Sequence, residues 1–493
     1  MTTSTKDAAD ETEPDVRRWI VAAFVVGLVL RAWEAVTSSL WLDELHTLSH
    51  ASQPSFAALV ERVELERVHV PLFFALVQRF GAWEQGETLR WIPIVASLAT
   101  LVPLCALVRE ALGGSRAVAL AAWLFACLPH LVHWGAELRP YSAWGLFSAG
   151  AAWAAFSQLG PLSLRTAVFF VCALAGIWTH RLMAVSVFSI GVARLFVRSP
   201  QMVPLWRLIV AGVLAFAPMG LWAVRFAQRA TTDRLEYQEQ IGGFRLRSAL
   251  LAEFAALPLR LFAPFMGALG GVWAALVKVG AALVGLGAWG ALLRELAFVR
   301  GRFANPTLRA LAIYAATNFV VVVALAWWTW DRLPLQYFTP IVWLLPLFVA
   351  ALINFQRPGA RATVALICAG ALSMGVGQAG GRALEDMRGA VAQARELGAS
   401  LERPIYSAVL SQPSLFEHVL PYRAYGRELD FREPDALPQP SEADFARPLV
   451  VLRRGQIPLN DPSFQPVLAG RRIVDERRVD AYLTLFVLTP QER

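Results

Sequence analysis

Residues 19–44 read WIVAAFVVGLVLRAWEAVTSSLWLDE, an apolar run that is followed closely by two adjacent carboxylates. A membrane span needs about 20 mostly apolar residues, and 19–36 comes close to that length. Asp43 and Glu44 therefore fall in the first loop on the far side of a membrane. Two acidic groups just outside a bilayer suit acid–base chemistry on a substrate that arrives through lipid. Alternatively, Asp43 caps a short amphipathic helix that continues from Leu45.

The composition of the chain is that of an integral membrane protein. Its 493 residues are 56% hydrophobic and only 17% charged, whereas soluble domains are about one quarter charged. The net charge of +8 does not indicate nucleic acid binding, because the arginines cluster between apolar runs, as they do in cytoplasmic loops. All four cysteines lie inside apolar runs, so we expect neither a disulfide framework nor a set of metal-binding cysteines.

Eleven apolar runs are predicted to span the membrane. Most of the arginines between them fall in loops of one parity, which assigns that parity to the cytoplasm and places Asp43 and Glu44 outside. Arg17 and Arg18 precede the first run, which has no clear cleavage site and is therefore predicted to be a retained anchor. The predicted spans are 19–36, 91–109, 117–134, 140–158, 166–180, 182–198, 207–226, 271–293, 309–329, 337–355 and 362–380.

The expected fold class is an all-α polytopic membrane protein with a small C-terminal α/β domain. Residues 1–18 are predicted to be a disordered cytoplasmic tail, 19–380 the transmembrane domain and 381–493 an extracytoplasmic α/β domain. The first external loop, 37–90, contains two segments with one apolar face, which are predicted to lie along the membrane interface. In the C-terminal part we predict a helix at 383–398 and strands at 405–410, 448–453 and within 471–488.

Charged side chains in or beside the spans mark candidate sites, because such positions are costly in a membrane. Arg31 lies near the end of the first predicted span, and Glu34 follows three residues later. The two either form a structural ion pair or belong to a site. Arg139 precedes Pro140 and Tyr141 at the start of the fourth span, where the positive end of the helix dipole favours an anion such as phosphate. Tyr141 either hydrogen-bonds the same anion or belongs to the aromatic belt.

Three further candidates lie in the predicted external loops. His69 comes just before Pro71, at the start of the second interfacial helix, where it is able to donate to a phosphate oxygen. His180 lies between two short spans, either as a ligand or as an ordinary interface residue. Arg332 lies in a predicted external loop, where arginines are disfavoured. An anionic partner would explain its position there.

Four short motifs, taken in order, resemble those of the GT-C superfamily of membrane glycosyltransferases that use lipid-linked sugars. Within this superfamily, the motifs most resemble those of the protein-O-mannosyltransferases and aminoarabinose transferases. The resemblance is clear over about residues 19–200. The motifs are LWLDE at 40–44, HVPLFF at 69–74, where His or Lys followed by Pro-Pro-Leu is usual, ELRPY at 137–141, where EARPY is usual, and Thr179-His180.

This resemblance implies roles for the candidate residues. Asp43 would be the catalytic base on the acceptor hydroxyl, and Glu44 would orient Asp43 or the acceptor. Gln336-Tyr337 stands where the family frequently has Arg-Tyr, and Val70 stands where it has the first proline. The candidates for binding the substrate or the lipid phosphate are Arg31, His69, Glu137, Arg139, Tyr141, His180, Arg332 and Tyr337.

The function that this pattern predicts is transfer of a monosaccharide from a polyprenyl-phosphate carrier to an extracytoplasmic lipid, glycan or protein acceptor, at a bacterial inner (plasma) membrane. The family implies a direct displacement that inverts the sugar. A divalent cation is left open, since the sequence shows no clear ligand cluster. The alternatives are a transporter or flippase of lipid-linked sugars and an inactive scaffold. The absence of repeat symmetry disfavours the transporter, and the intact acidic pair disfavours the scaffold.

Overall fold

The structure of the chain is a computed structural model, and it divides into two compact units. The first contains residues 1–34, 60–73 and 90–381, and the second contains 35–59, 74–89 and 382–493. The residues that the structure describes are 13–66, 70–81, 85–229, 271–294, 296–329, 335–381, 386–400, 449–454, 468, 470–479 and 483–491.

Most of the described chain is α-helical. Its helices up to residue 229 are Glu13–Thr37, Leu42–Ala51, Phe56–Glu66, Pro71–Arg79, Trp91–Ala99, Leu101–Leu112, Ser115–Cys127, Pro129–Ala136, Tyr141–Phe156, Leu162–Thr179, Met183–Phe196 and Leu205–Arg229. Those that follow are Gly271–Arg294, Leu296–Arg302, Pro306–Thr329, Thr339–Val342, Leu345–Ala351, Ala360–Gly380 and Met387–Ser400, and short 3-10 helices cover Gly86–Arg90 and Leu335–Phe338.

Six of the described helices are long and apolar enough to cross a membrane, or seven if one bent pair forms a single span. The predicted multi-pass helical architecture is therefore present, while the finer count of eleven spans stays a prediction. The six are Arg17–Thr37, Gly86–Leu112, Leu162–Thr179, Gly271–Ala288, Pro306–Leu325 and Ala360–Gly380. Two shorter apolar helices, Met183–Phe196 and Leu205–Gly220, overlap the predicted spans 182–198 and 207–226.

Two of the predicted spans are interrupted in the structure, and prolines explain both interruptions. The span predicted at 117–134 bends by 56° between Ser115–Cys127 and Pro129–Ala136, because Leu128 is extended before Pro129, and proline cannot donate a backbone N–H. The span predicted at 337–355 consists of one 3-10 helix and two short α-helices. Both α-helices have a proline in their first turn.

Close backbone contact holds two long helices of the first unit together. A Cβ atom added to Gly280 would lie 2.4 Å from the carbonyl oxygen of Gly370, and one added to Gly370 would lie 2.7 Å from that of Gly280. Any larger residue would therefore push the helices Gly271–Arg294 and Ala360–Gly380 apart. Small residues at such crossings are typical of helices that associate within lipid, where close packing replaces the hydrophobic driving force.

The second unit combines helices with a small antiparallel sheet. Its strands, β1 (Leu449–Arg454), β2 (Arg471–Arg478) and β3 (Leu483–Pro490), have the order β1-β3-β2. They overlap the segments predicted as strands at 448–453 and 471–488, whereas the predicted strand at 405–410 lies outside the described residues.

Part of the first predicted external loop belongs to this second unit. The Met387 N–H donates to Ser39 Oγ at 3.0 Å, and Arg388 forms an ion pair with Glu87 at 2.5 Å. The helix Leu42–Ala51 is in this unit too, whereas the separate domain predicted for 381–493 stays a prediction.

Candidate active site

A four-residue turn in the first unit carries two of the candidate side chains. The helix Pro129–Ala136 ends at Glu137, whose backbone is extended, and the Arg139 N–H donates to the Glu137 carbonyl at 2.7 Å. Pro140 then leads into the helix Tyr141–Phe156. This turn buries Glu137, Arg139 and Tyr141 almost completely, so a carboxylate and a guanidinium lie beside the N-terminus of a helix, where the helix dipole favours anions.

Aromatic rings line the start of the same helix. The Arg139 guanidinium carbon is 5.8 Å from the centre of the Tyr141 ring. The Tyr141 ring in turn meets Trp134 edge to face at 5.0 Å and His180 at 5.8 Å. A cation over an aromatic face is attracted by the negative charge of that face, so Tyr141 helps to hold the position of Arg139.

His180 lies at the centre of an aromatic cluster. Its ring stacks on Trp144 with 4.2 Å between centroids and 4° between planes, and it meets Tyr337 edge to face at 5.7 Å. The Leu182 N–H donates to His180 Nδ1 at 3.3 Å, so the neutral ring carries its proton on Nε2. Burial, followed by the cations Arg181 and Arg139, lowers the pKa of His180 below its ordinary value. His180 is therefore a neutral donor at physiological pH.

Next to this turn is a buried acid–imidazole cluster, made of Glu34, His133 and Glu137. His133 Nδ1 is 2.5 Å from Glu34 Oε1, and His133 Nε2 is 3.8 Å from Glu137 Oε1. Gln378 Nε2 also donates to Glu34 Oε1, at 3.2 Å. All four side chains are buried. The cluster therefore ties the Glu137 turn to the first helix and to the helix Ala360–Gly380.

His133 and Gln378 were not among the predicted site residues. For His133 a signal existed, because it precedes Glu137 by four residues, the spacing at which helical side chains meet. For Gln378 no local signal existed, since its partner Glu34 is 344 residues away in sequence.

Arg31 and Glu34 have different hydrogen-bond partners, although both lie in the first helix. Arg31 donates to Ser97 Oγ at 2.9 Å and to three backbone carbonyl oxygens at 3.0–3.4 Å. Its side chain is fully buried. A Cβ atom on Gly135 would lie 2.5 Å from Arg31 Nε, so a larger residue there would displace the guanidinium. These contacts favour a structural role for Arg31 over direct binding of a phosphate.

The acidic pair lies in the second unit, at the start of the helix Leu42–Ala51. The Trp41 N–H donates to Glu44 Oε2 at 3.2 Å, so Glu44 reaches back to the residue before the helix. Glu44 is fully buried, and Asp43 is half-buried. The alternative in which Asp43 caps this helix is therefore wrong: Trp41 occupies the cap position, Asp43 lies in the first turn, and Glu44 makes the capping contact.

The structure brings five of the ten predicted site residues together in the first unit, namely Glu137, Arg139, Tyr141, His180 and Tyr337. Asp43 and Glu44 belong to the second unit, and His69 and Arg332 lie outside the described residues. Within the part of the chain that the structure describes, no group of three or more histidine, cysteine or carboxylate side chains could hold a metal ion.

Comparison with known proteins shows similarity in structure only. No family model matches the chain, and no curated protein matches it. The structure of ArnT from Cupriavidus metallidurans in the apo state aligns with a TM-score of 0.56 and 13% identity, over 96% of this chain and 98% of ArnT. The same protein bound to undecaprenyl phosphate aligns with a TM-score of 0.54 and 13% identity, over 97% and 98% of the two chains.

A third structure, the oligosaccharyltransferase AglB from Archaeoglobus fulgidus, aligns with a TM-score of 0.44 and 14% identity, over 89% of this chain and 69% of AglB. This score is too low to define a shared fold. The likeness to ArnT does define one, and it shows that this chain has the fold of ArnT. The resemblance that the four motifs predicted is thereby confirmed for the fold. ArnT is thus one solved protein whose fold this chain shares over nearly its whole length.

Proposed function

We propose that this chain is a membrane glycosyltransferase that moves a monosaccharide from a polyprenyl-phosphate carrier to an extracytoplasmic lipid, glycan or protein acceptor at the inner (plasma) membrane. The observation that carries the proposal is the whole-length likeness to ArnT, which has been solved with undecaprenyl phosphate. The motifs at 40–44 and 137–141 and the buried cation Arg139 support the same reaction.

In the proposed reaction the acceptor hydroxyl oxygen attacks the anomeric carbon of the sugar. The new carbon–oxygen bond forms as the bond to the carrier phosphate breaks, and the electron pair leaves with the phosphate. The hydroxyl proton passes to the Asp43 carboxylate. Direct displacement of this kind inverts the anomeric centre.

For the phosphate that leaves, we propose a binding site at the start of the helix Tyr141–Phe156. Arg139 supplies a positive charge, and the helix N-terminus supplies a favourable dipole. His180 Nε2 and the Tyr141 and Tyr337 hydroxyls are donors of the same cluster. Donors that are fixed before the reaction stabilise a developing negative charge without the cost of reorganisation.

The acid–imidazole cluster has a supporting part in this proposal. His133 lies one helical turn before Glu137, and its hydrogen bond to Glu34 fixes the turn that carries Arg139 against the first helix. We also propose His69 and Arg332 as phosphate ligands, because both lie in predicted external loops of the sequence. Arg31 is assigned a structural role because its donors are directed to protein oxygens.

For the base, we propose Asp43 rather than Glu44. Glu44 is fully buried and bonds the Trp41 N–H, so its carboxylate is committed to closing the helix end. Asp43 is more accessible than Glu44, and it lies in the first turn of the helix. An ionised carboxylate is the form that accepts a proton.

The test uses the purified chain in lipid nanodiscs with a panel of polyprenyl-phosphate sugars and an acceptor extract. Release of free polyprenyl phosphate is compared between the native chain, Asp43→Asn and the control Glu61→Gln, which changes an exposed carboxylate of the first predicted external loop. We expect one donor to be cleaved by the native chain and the control, and Asp43→Asn to slow cleavage about 10²–10⁴-fold.

Equal release by the native chain and Asp43→Asn would remove Asp43 from the role of base. Movement of the donor across the bilayer of reconstituted vesicles, with no release of polyprenyl phosphate, would favour the transporter. Absence of both release and movement would favour the inactive scaffold. The same assay with and without a chelator tests whether a divalent cation takes part.

A further inference from the structure

The turn between the helices Met183–Phe196 and Leu205–Arg229 forms a groove that the proposed reaction does not use. Its cavity has a volume of about 440 Å³ and is lined by Arg194, Arg198, Ser199, Met202 and Leu205 among others. We refer to it as the arginine groove. It lies in the first unit, at the end of the helix that begins next to His180, and therefore away from the Arg139 turn.

The charge around the arginine groove is strongly positive. Residues 190–210 contain three arginines, at 194, 198 and 207, and no acidic residue. A fourth, Arg165, approaches from the helix Leu162–Thr179 and donates to the Gln201 carbonyl at 2.6 Å. The carboxylate near Arg165 belongs to Glu110, which accepts hydrogen bonds from the Ser157 hydroxyl and the Gln158 N–H.

Arg194 shapes the groove from within. It is almost fully buried, and it donates to the carbonyls of Val197 and Val203 and to the sulfur of Met202. These bonds wrap the turn around one guanidinium. Arg198 and Ser199 lie on the same turn, and the side chain of Arg198 is exposed. A buried cation thus organises the turn, and an exposed cation lines the groove.

Large apolar side chains are exposed on both helices beside the groove. Leu195 and Phe196 end the first helix, and Trp206 starts the second. The Arg207 guanidinium carbon is 5.2 Å from the centre of the Trp206 ring. Tryptophan and arginine side by side at the end of apolar helices are typical of the depth at which lipid headgroups lie.

We propose that the arginine groove binds the phosphate of an acidic phospholipid headgroup, with the acyl chains along Leu195, Phe196 and Trp206. Basic pockets between membrane helices are suited to anionic headgroups, because cation and phosphate attract while the tails stay in the hydrocarbon. The exposed apolar side chains favour a lipid over free phosphate, which would gain nothing from them.

The experiment is native mass spectrometry of the full chain in detergent, titrated separately with phosphatidylglycerol, phosphatidylcholine and inorganic phosphate. The variants are Arg198→Gln, Arg198→Lys and the double variant Arg198→Gln/Arg207→Gln. The control is Arg116→Gln, which removes an exposed arginine in the first turn of the helix Ser115–Cys127. Arg198 is exposed, so its replacement leaves the packed helices intact, and gel filtration checks this.

We expect one phosphatidylglycerol to bind the native chain more tightly than phosphatidylcholine. Arg198→Gln should weaken that binding about fivefold and the double variant about 25-fold, because each basic residue adds a similar increment. Arg198→Lys and Arg116→Gln should stay near the native affinity. Equal affinity for the two lipids, equal loss in Arg116→Gln, or no loss in Arg198→Gln would overturn the proposal. Inorganic phosphate that binds as tightly as phosphatidylglycerol would overturn the assignment to a lipid.

Discussion

The two ends of the helix Tyr141–Phe156 differ in what their buried charges bind. The helix has 16 residues, so its ends are about 24 Å apart. At the Tyr141 end, the charges of the candidate site meet other side chains: Glu34 binds His133, and Arg139 lies over Tyr141. Beyond the Phe156 end, charged side chains mainly bind backbone groups and hydroxyls.

The backbone contacts beyond Phe156 follow from helix geometry. The last four carbonyls of a helix have no partner within it. Arg165 donates to the Ser157 carbonyl, and Arg194 donates to that of Val197, each of which directly follows a helix. Glu110 accepts from the Gln158 N–H at 2.5 Å and from the Ser157 hydroxyl at 2.8 Å. These charges close helix ends.

The difference shows that burial of a charge does not by itself mark a functional site. A charge whose partners are backbone groups has a sufficient structural reason to be present. A charge held by side chains, beside a helix N-terminus and aromatic rings, has no such structural reason and marks a candidate binding site. On this criterion the Tyr141 end is the stronger site, and four measurements test the distinction.

The largest expected difference is between Arg139→Gln and Arg165→Gln. Arg139→Gln should lower the rate of polyprenyl phosphate release about 10²–10³-fold, the usual effect of removing one fixed donor from an oxyanion site. Arg165→Gln should lower the yield of folded protein and leave the rate per folded molecule near the native one. The folded fraction is measured by gel filtration and thermal unfolding in detergent. Similar losses of rate in both variants would contradict the distinction between a functional Tyr141 end and a structural Phe156 end.

Glu110→Ala tests the structural end directly. It removes the acceptor of the Ser157 and Gln158 bonds and of a 3.2 Å bond from the Thr307 hydroxyl. Hydrogen bonds to a charged group contribute about 1.5–3 kcal/mol, so we expect the free energy of unfolding to fall by about that amount. The measurement is unfolding in mixed micelles, with the exposed Glu61→Ala as control. A loss of rate at unchanged stability would contradict the structural assignment.

The third measurement is a double-mutant cycle on Glu34→Gln and His133→Gln, with stability and release rate both measured. The atoms of this pair approach to 2.5 Å, and groups in direct contact usually show coupling energies of about 0.5–3 kcal/mol. We expect coupling in the rate as well as in the stability, because the pair holds the turn that carries Arg139. Additive effects on the rate would show that the pair only stabilises the fold.

The sequence predicted the fold class because apolar run length and arginine placement respond directly to a bilayer. It also placed the start of the fourth span at Pro140, one residue before the helix begins at Tyr141 in the structure, because proline supplies a local signal. Long-range contacts were out of reach, since nothing near Glu34 indicates that His133, 99 residues later, will bond it.

The local error at Asp43 has a different cause. Both carboxylates are acidic residues of the first turn, and the choice between them depends on where the helix begins. As an alternative to a catalytic role, the sequence offered Asp43 as the cap of this helix. The structure begins the helix two residues earlier than that, at Leu42, so that the reach-back position of the capping box falls on Glu44.

The smallest expected effect is a pH dependence that belongs to His180. Burial, Arg181 and Arg139 lower its pKa from the ordinary 6.5. Below pH 6.5 the unfolded chain therefore takes up a proton on His180 that the folded chain does not, and the stability that this residue contributes is lost as the pH falls.

His180→Phe keeps a ring against Trp144 and removes the titration of this side chain. From pH 7 down to pH 5, the unfolding temperature should fall more steeply for the native chain than for His180→Phe. Every other histidine is present in both proteins, so the difference between the two slopes isolates this one. Arg139→Gln should reduce the same difference, because one of the two cations that disfavour the protonated ring is then absent. Parallel slopes would mean that the cation at the Tyr141 end does not act on its neighbouring side chain, and the distinction between the two ends would lose its electrostatic support.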